Sequence, residues 1–234
     1  LTLAASPAMA DDHGHGGHHG TAASDEKKQI RELLKSLTKD NDAFVKEKGA
    51  KYFSAFAEKQ TPRATVVSCA DSRVHSHAID NTPDNDLFII RNIGNQHATG
   101  EGSVEYGVRH LHTPVLIFVG HSACGAVKAA MSDYSGLEPA IKKELDSMQL
   151  DKKEISGTTD PDWMDGVVDN VNDQVKGALT KYADMAASGK LLVLGAVYDF
   201  RNDLKQGHGK LVITNYNGET DAAKIKAAMK AAID

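Results

Sequence analysis

Apolar residues recur along this chain with two periods, and the alternation between them outlines a fold. From Asp25 to about Lys48, the residues Ile30, Leu33, Leu34, Leu37 and Phe44 fall at helical spacing behind Ser24, a residue suited to capping a helix start. A second short helix is expected over residues 50–58, and Pro62 then punctuates the chain. Short apolar runs of strand length follow at 64–68, 86–91, 115–120, 191–197 and 210–214. Helical patterns lie between most of them, at 102–111, 125–131, 139–148 and 164–187, and "DAAKIKAAMKAAID" closes the chain with another. Strands alternating with helices predict an α/β fold with a central, mostly parallel sheet covered on both faces. The last strand follows its neighbour after the short, turn-rich "RNDLKQGHG" and is expected to be antiparallel. There is no internal repeat and no sign of a second domain within residues 25–234.

Charge and length narrow the function classes. The 234 residues carry a net charge of −5, from 27 basic and 32 acidic side chains, which argues against a nucleic-acid binder. No apolar run approaches the ~20 residues of a membrane span. "LTLAASPAMA", residues 1–10, is apolar and ends in the A-x-A pattern Ala8-Met9-Ala10. It reads as the remnant of a secretory signal peptide or as a frayed apolar start. On the first reading the protein is periplasmic, in an oxidising compartment. Residues 11–24, "DDHGHGGHHGTAAS", have no apolar period and are expected to be a disordered tail. Its histidines, His13, His15, His18 and His19, make it either a loose metal binder or a solubilising segment.

Only two cysteines are present, and both fall where strands are expected to end. Cys69 follows the first strand, in "SCADSRV". His121 and Cys124 follow the third, in "GHSACGAV", in a turn that opens a helix. Ligand sites of open α/β sheets lie at such carboxyl ends. If the two strands are neighbours, their ~4.8 Å spacing brings the three side chains together. Two thiolates and an imidazole suit zinc and leave a fourth tetrahedral position, the arrangement of a catalytic site. A Cys69–Cys124 disulfide is the competing reading for an oxidising compartment. Asp71 and Arg73 stand two and four residues past Cys69. They form either an ion pair fastening a loop or a carboxylate held off the metal by a bidentate guanidinium.

These stretches, with "DLFIIRNIGN" and "GSVEYGV" between them, resemble the successive motifs of the β-class carbonic anhydrases, in that family's order and spacing. The resemblance covers roughly residues 25–216. It implies a zinc enzyme, with one Zn2+ per chain, that interconverts carbon dioxide and bicarbonate by attack of zinc-bound hydroxide. It implies a fold with four parallel strands at its core and a homodimer or higher even oligomer. Carried over by position, Cys69, His121 and Cys124 match the metal ligands, and Asp71 and Arg73 match the dyad that orients the zinc-bound water. Gln60, Phe88, Ile93, Tyr106 and Gly125 match substrate-side positions. In the family the glutamine and the aromatic wall come from the partner subunit, so each site would lie at the interface. Val66 stands three before Cys69, where relatives with a second bicarbonate site tend to carry tryptophan, which favours a zinc left open to water. His75, His77 and His97 are candidate proton carriers, titrating near an unperturbed ~6.5.

Two other functions fit part of this pattern. Hydrolases of carbon disulfide or carbonyl sulfide resemble the same family and keep the same ligands. A non-enzymatic periplasmic zinc-binding protein needs the histidine tract and the Cys/His set, but neither Asp71 nor Arg73.

Overall fold

The computed structural model describes residues 22–234. The expected signal remnant and the histidines of the N-terminal tract lie outside the described residues. The described chain falls into two compact units, a helical one ending at Gln60 and an α/β one running from Thr61 to Asp234.

The helical unit is one helical run, α1 (Ala22–Ser54), broken at Gly49. It begins before Ser24, so that residue lies in the first turn instead of capping it. The break falls between the two helices expected from sequence. Gly49 has φ 71° and ψ 168°, a conformation open to glycine and costly for other residues. Across the break, the rings of Phe44, Tyr52 and Phe53 meet edge to face at centroid distances of 5.1–6.1 Å. Further back, Ile30, Leu33, Leu34 and Leu37 form an apolar stripe that is more than half exposed.

The α/β unit is built on five strands: β1 (Ala64–Cys69), β2 (Leu87–Asn92), β3 (Val115–His121), β4 (Leu192–Asp199) and β5 (Lys210–Tyr216). Their order is β2-β1-β3-β4-β5, the first four parallel and β5 antiparallel to β4. The strands are close to those expected from sequence because each is a short apolar run with polar punctuation. Helices α2 (Glu101–Glu105), α3 (Gly125–Met131), α4 (Pro139–Leu145), α5 (Pro161–Lys181), α6 (Ala183–Ala187) and α7 (Ala222–Ile233) complete the unit. A π-helical turn, Tyr106–His110, prolongs α2, and Tyr182 breaks the expected 164–187 helix into α5 and α6. Among the described residues, no helix is long and apolar enough to cross a membrane.

Helix α5 packs along one face of the sheet. Its Val167 and Val171 share a buried cluster with Cys69 and Cys124, and its Val175 and Ala178 share another with Val67 and Phe118. This close approach depends on Gly195 in β4. A Cβ there would lie 2.6 Å from Val171 Cγ1 and 2.9 Å from Asn215 Cβ. Gly195→Ala is therefore expected to cost about 1–3 kcal/mol of overpacking strain, read from the denaturant midpoint. An unchanged midpoint would show that α5 and β4 do not pack this closely.

Candidate metal centre

The parallel pairing of β1 with β3 supplies the juxtaposition on which the sequence reading was conditional. Ser68 lies opposite Val119, so both strands end at the same edge of the sheet. The ligand atoms of Cys69, His121 and Cys124 all lie within 4.8 Å of one another, and all three side chains are buried. Both cysteines are free thiols, so the disulfide reading is not what the fold displays.

The donor set fits a metal on three observations. His121 Nδ1 bonds the Ser122 carbonyl oxygen at 2.9 Å, which places the ring proton there and leaves Nε2 as the lone-pair atom. Nε2 is buried and has no hydrogen-bond partner, a costly state for a protein nitrogen unless something else satisfies it. The two sulfurs are close enough for one thiol to donate to the other. The Cys124 thiol donated to Cys69 holds Cys69 well below its ordinary value, at about 4, against the effect of burial, with the neighbouring His121 assisting. The same bond, complete burial and the Cys69 charge push Cys124 up, while the N–H groups of Val127 and Ala126 at the start of α3 oppose this. A cation between the sulfurs, in place of that thiol proton, relieves the conflict.

The mouth of the cluster is set by Asp71 and Arg73. Arg73 grips the carboxylate with three bonds: Nε and its own backbone N–H to Oδ1, both at 2.9 Å, and Nη2 to Oδ2 at 2.7 Å. These bonds hold the Asp71 carboxyl near 2, against partial burial. Asp71 Oδ2 lies 3.8 Å from His121 Nε2, beside the cluster yet engaged by the guanidinium. Arg73 Nη2 also reaches the Ala123 carbonyl oxygen at 3.3 Å, tying the β1 loop to the ligand turn.

Several supporting residues were not singled out from sequence, although Arg91 and Gly94 fall inside "DLFIIRNIGN". Arg91 of β2 donates to the carbonyl oxygens of Cys69 and Asp71, at 3.1 and 2.6 Å. Trp163, the only tryptophan, donates its indole N–H to the Cys124 carbonyl at 2.8 Å. The Phe200 ring lies 6.1 Å from the His121 ring at 25° and 5.0 Å beneath the Arg73 guanidinium carbon. Gly94, with φ 78°, donates its N–H to Cys69 Sγ at 3.4 Å.

The other sequence candidates divide between two regions. Ile93 packs against the cluster that contains Cys69 and Cys124, and Gly125 opens α3 directly after the last ligand, with open space where a side chain would project. Phe88 and Tyr106 pair with each other at 5.9 Å. Phe88 sits opposite Thr65, four residues back along β1 from Cys69, or about 13 Å at the usual strand rise. Within one chain they are not brought to the sulfurs. Gln60 belongs to the helical unit and is exposed. His75 and His77 are exposed beyond the Asp71 loop. His97 is instead half-buried against Phe118 and Tyr182, and burial lowers its pKa.

A mostly parallel α/β sheet with a Cys2His cluster able to hold a metal and a guarded carboxylate at its carboxyl edge defines the class: an open-sheet α/β protein with a candidate metal site at its strand ends. The family model described as carbonic anhydrase matches residues 64–207. The chain belongs to the β-class carbonic anhydrase family. Carbonic anhydrase 2 of Mycobacterium tuberculosis is 33% identical over 105 residues, 42% of this chain and 51% of that protein. This chain thus spans about half the length of that relative. A solved Coccomyxa β-carbonic anhydrase in complex with acetazolamide is 25% identical, with a TM-score of 0.63 over 83% of this chain and 90% of that one. Tetrameric β-carbonic anhydrases of Sordaria macrospora share the fold, at 21% identity and a TM-score of 0.61 over 80% of this chain and 96% of theirs.

Proposed function

We propose that this chain is a zinc-dependent carbonic anhydrase, converting carbon dioxide and water to bicarbonate and a proton. The observation that carries this is the buried Cys69–His121–Cys124 cluster with Asp71 locked by Arg73 at its mouth. Cys69, His121 and Cys124 would hold the metal, whose Lewis acidity lets water act as a nucleophile near pH ~7. Asp71, ionised at every working pH, accepts the hydrogen bond of the attacking water and aims its lone pair at the carbon. Arg73 keeps Asp71 in that task and away from the metal. Ile93 contributes to a dry wall suited to a small apolar gas. The released proton has the exposed His75 and His77 as nearby acceptors.

The assembly is part of the proposal. Tyr106 is 47% exposed and Phe88 is distant from the sulfurs of its own chain, so a second copy would supply the aromatic side of each site. The exposed stripe of α1 suits burial in such an assembly. Export to the periplasm is supported only by the Ala8-Met9-Ala10 pattern.

Stopped-flow hydration on the full chain, with zinc content and light scattering on the same sample, tests the reading. We expect one zinc per chain, an even oligomer, and hydration that rises with pH through ~7. Zinc without hydration, but with hydrolysis of carbonyl sulfide or carbon disulfide, would transfer the site to the sulfur gases. Zinc above one per chain with no turnover would leave a metal store.

A further inference from the structure

Resting on the zinc reading above, we infer that Asp199, acting through Ser122, is the positioning residue that holds the His121 imidazole in register with the two sulfurs. Asp199 is the last residue of β4 and is completely buried. Its Oδ1 accepts from Ser122 Oγ at 2.7 Å and from the Asp203 N–H at 2.9 Å, and its Oδ2 accepts from the Leu204 N–H at 2.7 Å. All three donors are neutral. Burial alone would push this carboxyl up, but the converging hydrogen bonds outweigh it and hold the group below its ordinary value, so the turn is built to keep a carboxylate fixed here.

The geometry is needed one residue from His121. The Ser122 carbonyl oxygen accepts the hydrogen bond from His121 Nδ1–H, and that bond aims Nε2 at the sulfurs. Ser122 is followed by Ala123, whose φ of 54° lies in the left-handed region. A non-glycine residue there costs about 1–2 kcal/mol and persists only where its surroundings hold it. The turn between two ligands is therefore under pressure to relax. Relaxation would swing the Ser122 carbonyl and Cys124 together. Three ties oppose it: Ser122 Oγ on Asp199, the Arg73 guanidinium on the Ala123 carbonyl, and the Trp163 indole on the Cys124 carbonyl. Of these three side-chain ties, the first alone grips the residue that orients the imidazole. Ser122 is also pinned by its N–H to the Tyr198 carbonyl at 3.2 Å, and its Oγ accepts from the Arg201 N–H at 3.4 Å, so β4 and its loop clamp it from both sides.

A rival account makes Asp199 a loop fastener only, since two of its bonds go to Asp203 and Leu204. Ser122→Ala separates the two accounts, because it cuts the tie to the ligand turn, with the longer Arg201 N–H contact to the same hydroxyl, and leaves both bonds from Asp199 to the loop. The experiment is zinc affinity by chelator competition on wild type, S122A, S122T and D199N, with thermal unfolding of the zinc-free proteins alongside. The thiolate-to-cobalt absorption of each Co2+-loaded protein reports ligand geometry. S122A and D199N are expected to bind zinc about 10–100-fold more weakly, the usual loss when a group behind a ligand is removed. S122T, which keeps the hydroxyl, is expected to recover most of that affinity. S122A binding zinc within twofold of wild type with an unchanged cobalt spectrum would overturn the inference, even if D199N fails to fold. S122T as weak as S122A would overturn it too, by showing that volume matters and the hydroxyl does not. Absence of zinc binding by the wild type would instead defeat the functional reading itself.

Discussion

Cys69→Ser is expected to empty the metal centre, taking zinc from one per chain to less than a tenth and carbon dioxide hydration to the uncatalysed rate. Serine is close in size, so the strand end should keep its shape. Its hydroxyl stays protonated and is a poor zinc ligand, whereas Cys69 is the sulfur that the cluster already holds as thiolate. Without the metal, water loses the acidity that brings its pKa down to ~7, and hydroxide at neutral pH becomes too scarce to carry the reaction. The stability readout is separate. Saturating zinc at about 1,000 times its dissociation constant should stabilise wild type by about 4 kcal/mol and the variant hardly at all. Circular dichroism of the two zinc-free proteins should coincide. A C69S protein that retained stoichiometric zinc would remove Cys69 from the ligand set. One that lost zinc but still hydrated carbon dioxide would remove the metal from the reaction.

Arg73→Ala is expected to keep the zinc and lose about 10²-fold or more in turnover, the scale of a misplaced proton-handling group. Asp71 already lies 3.8 Å from His121 Nε2 and is kept off the centre by three bonds from Arg73. With the side chain gone, two of these vanish, and the carboxylate is free to take the coordination position that water needs. The double variant Asp71→Asn/Arg73→Ala should then turn over no more slowly than Asp71→Asn alone, because Arg73 acts through Asp71. Further loss in the double variant would give Arg73 an independent role, and a rate within threefold of wild type for R73A would end the dyad account. The acid limb adds a check. The Asp71 carboxyl lies near 2 in the folded chain, below its ordinary 3.8. A depressed carboxyl stabilises the fold fully above its unfolded value and loses that contribution as pH falls through the folded one. The stability gap between wild type and R73A should therefore be constant above pH ~4 and shrink towards pH ~2.

The fold was legible because its signals are local. Strand boundaries came within two residues of those observed, since each strand is a short apolar run with polar punctuation. The break at Gly49 falls between the two helices expected from sequence, whereas the one at Tyr182 was not visible: Tyr182 is fully buried, so its ring continues the pattern of α5 into α6. The surroundings of His97 were not legible either, because its packing against Phe118 and Tyr182 joins residues far apart in the chain.

By itself the sequence determined the chemistry on offer: two cysteines and a histidine at strand ends, and a carboxylate and guanidinium two residues apart. These are matters of residue type and short spacing, which strand geometry converts directly into position. Only the tertiary structure decided what holds that chemistry in place. Arg91 reaches Cys69 across 22 residues, Trp163 reaches Cys124 across 39, and Asp199 reaches Ser122 across 77. Arg91 and Trp163 bind backbone carbonyls, which every residue type carries, so the receiving turn bears no mark of its donors. Asp199 meets a serine hydroxyl, which is too common along the chain to name its partner. Such contacts exist once β2, β4 and α5 are folded against β1 and β3, and not before.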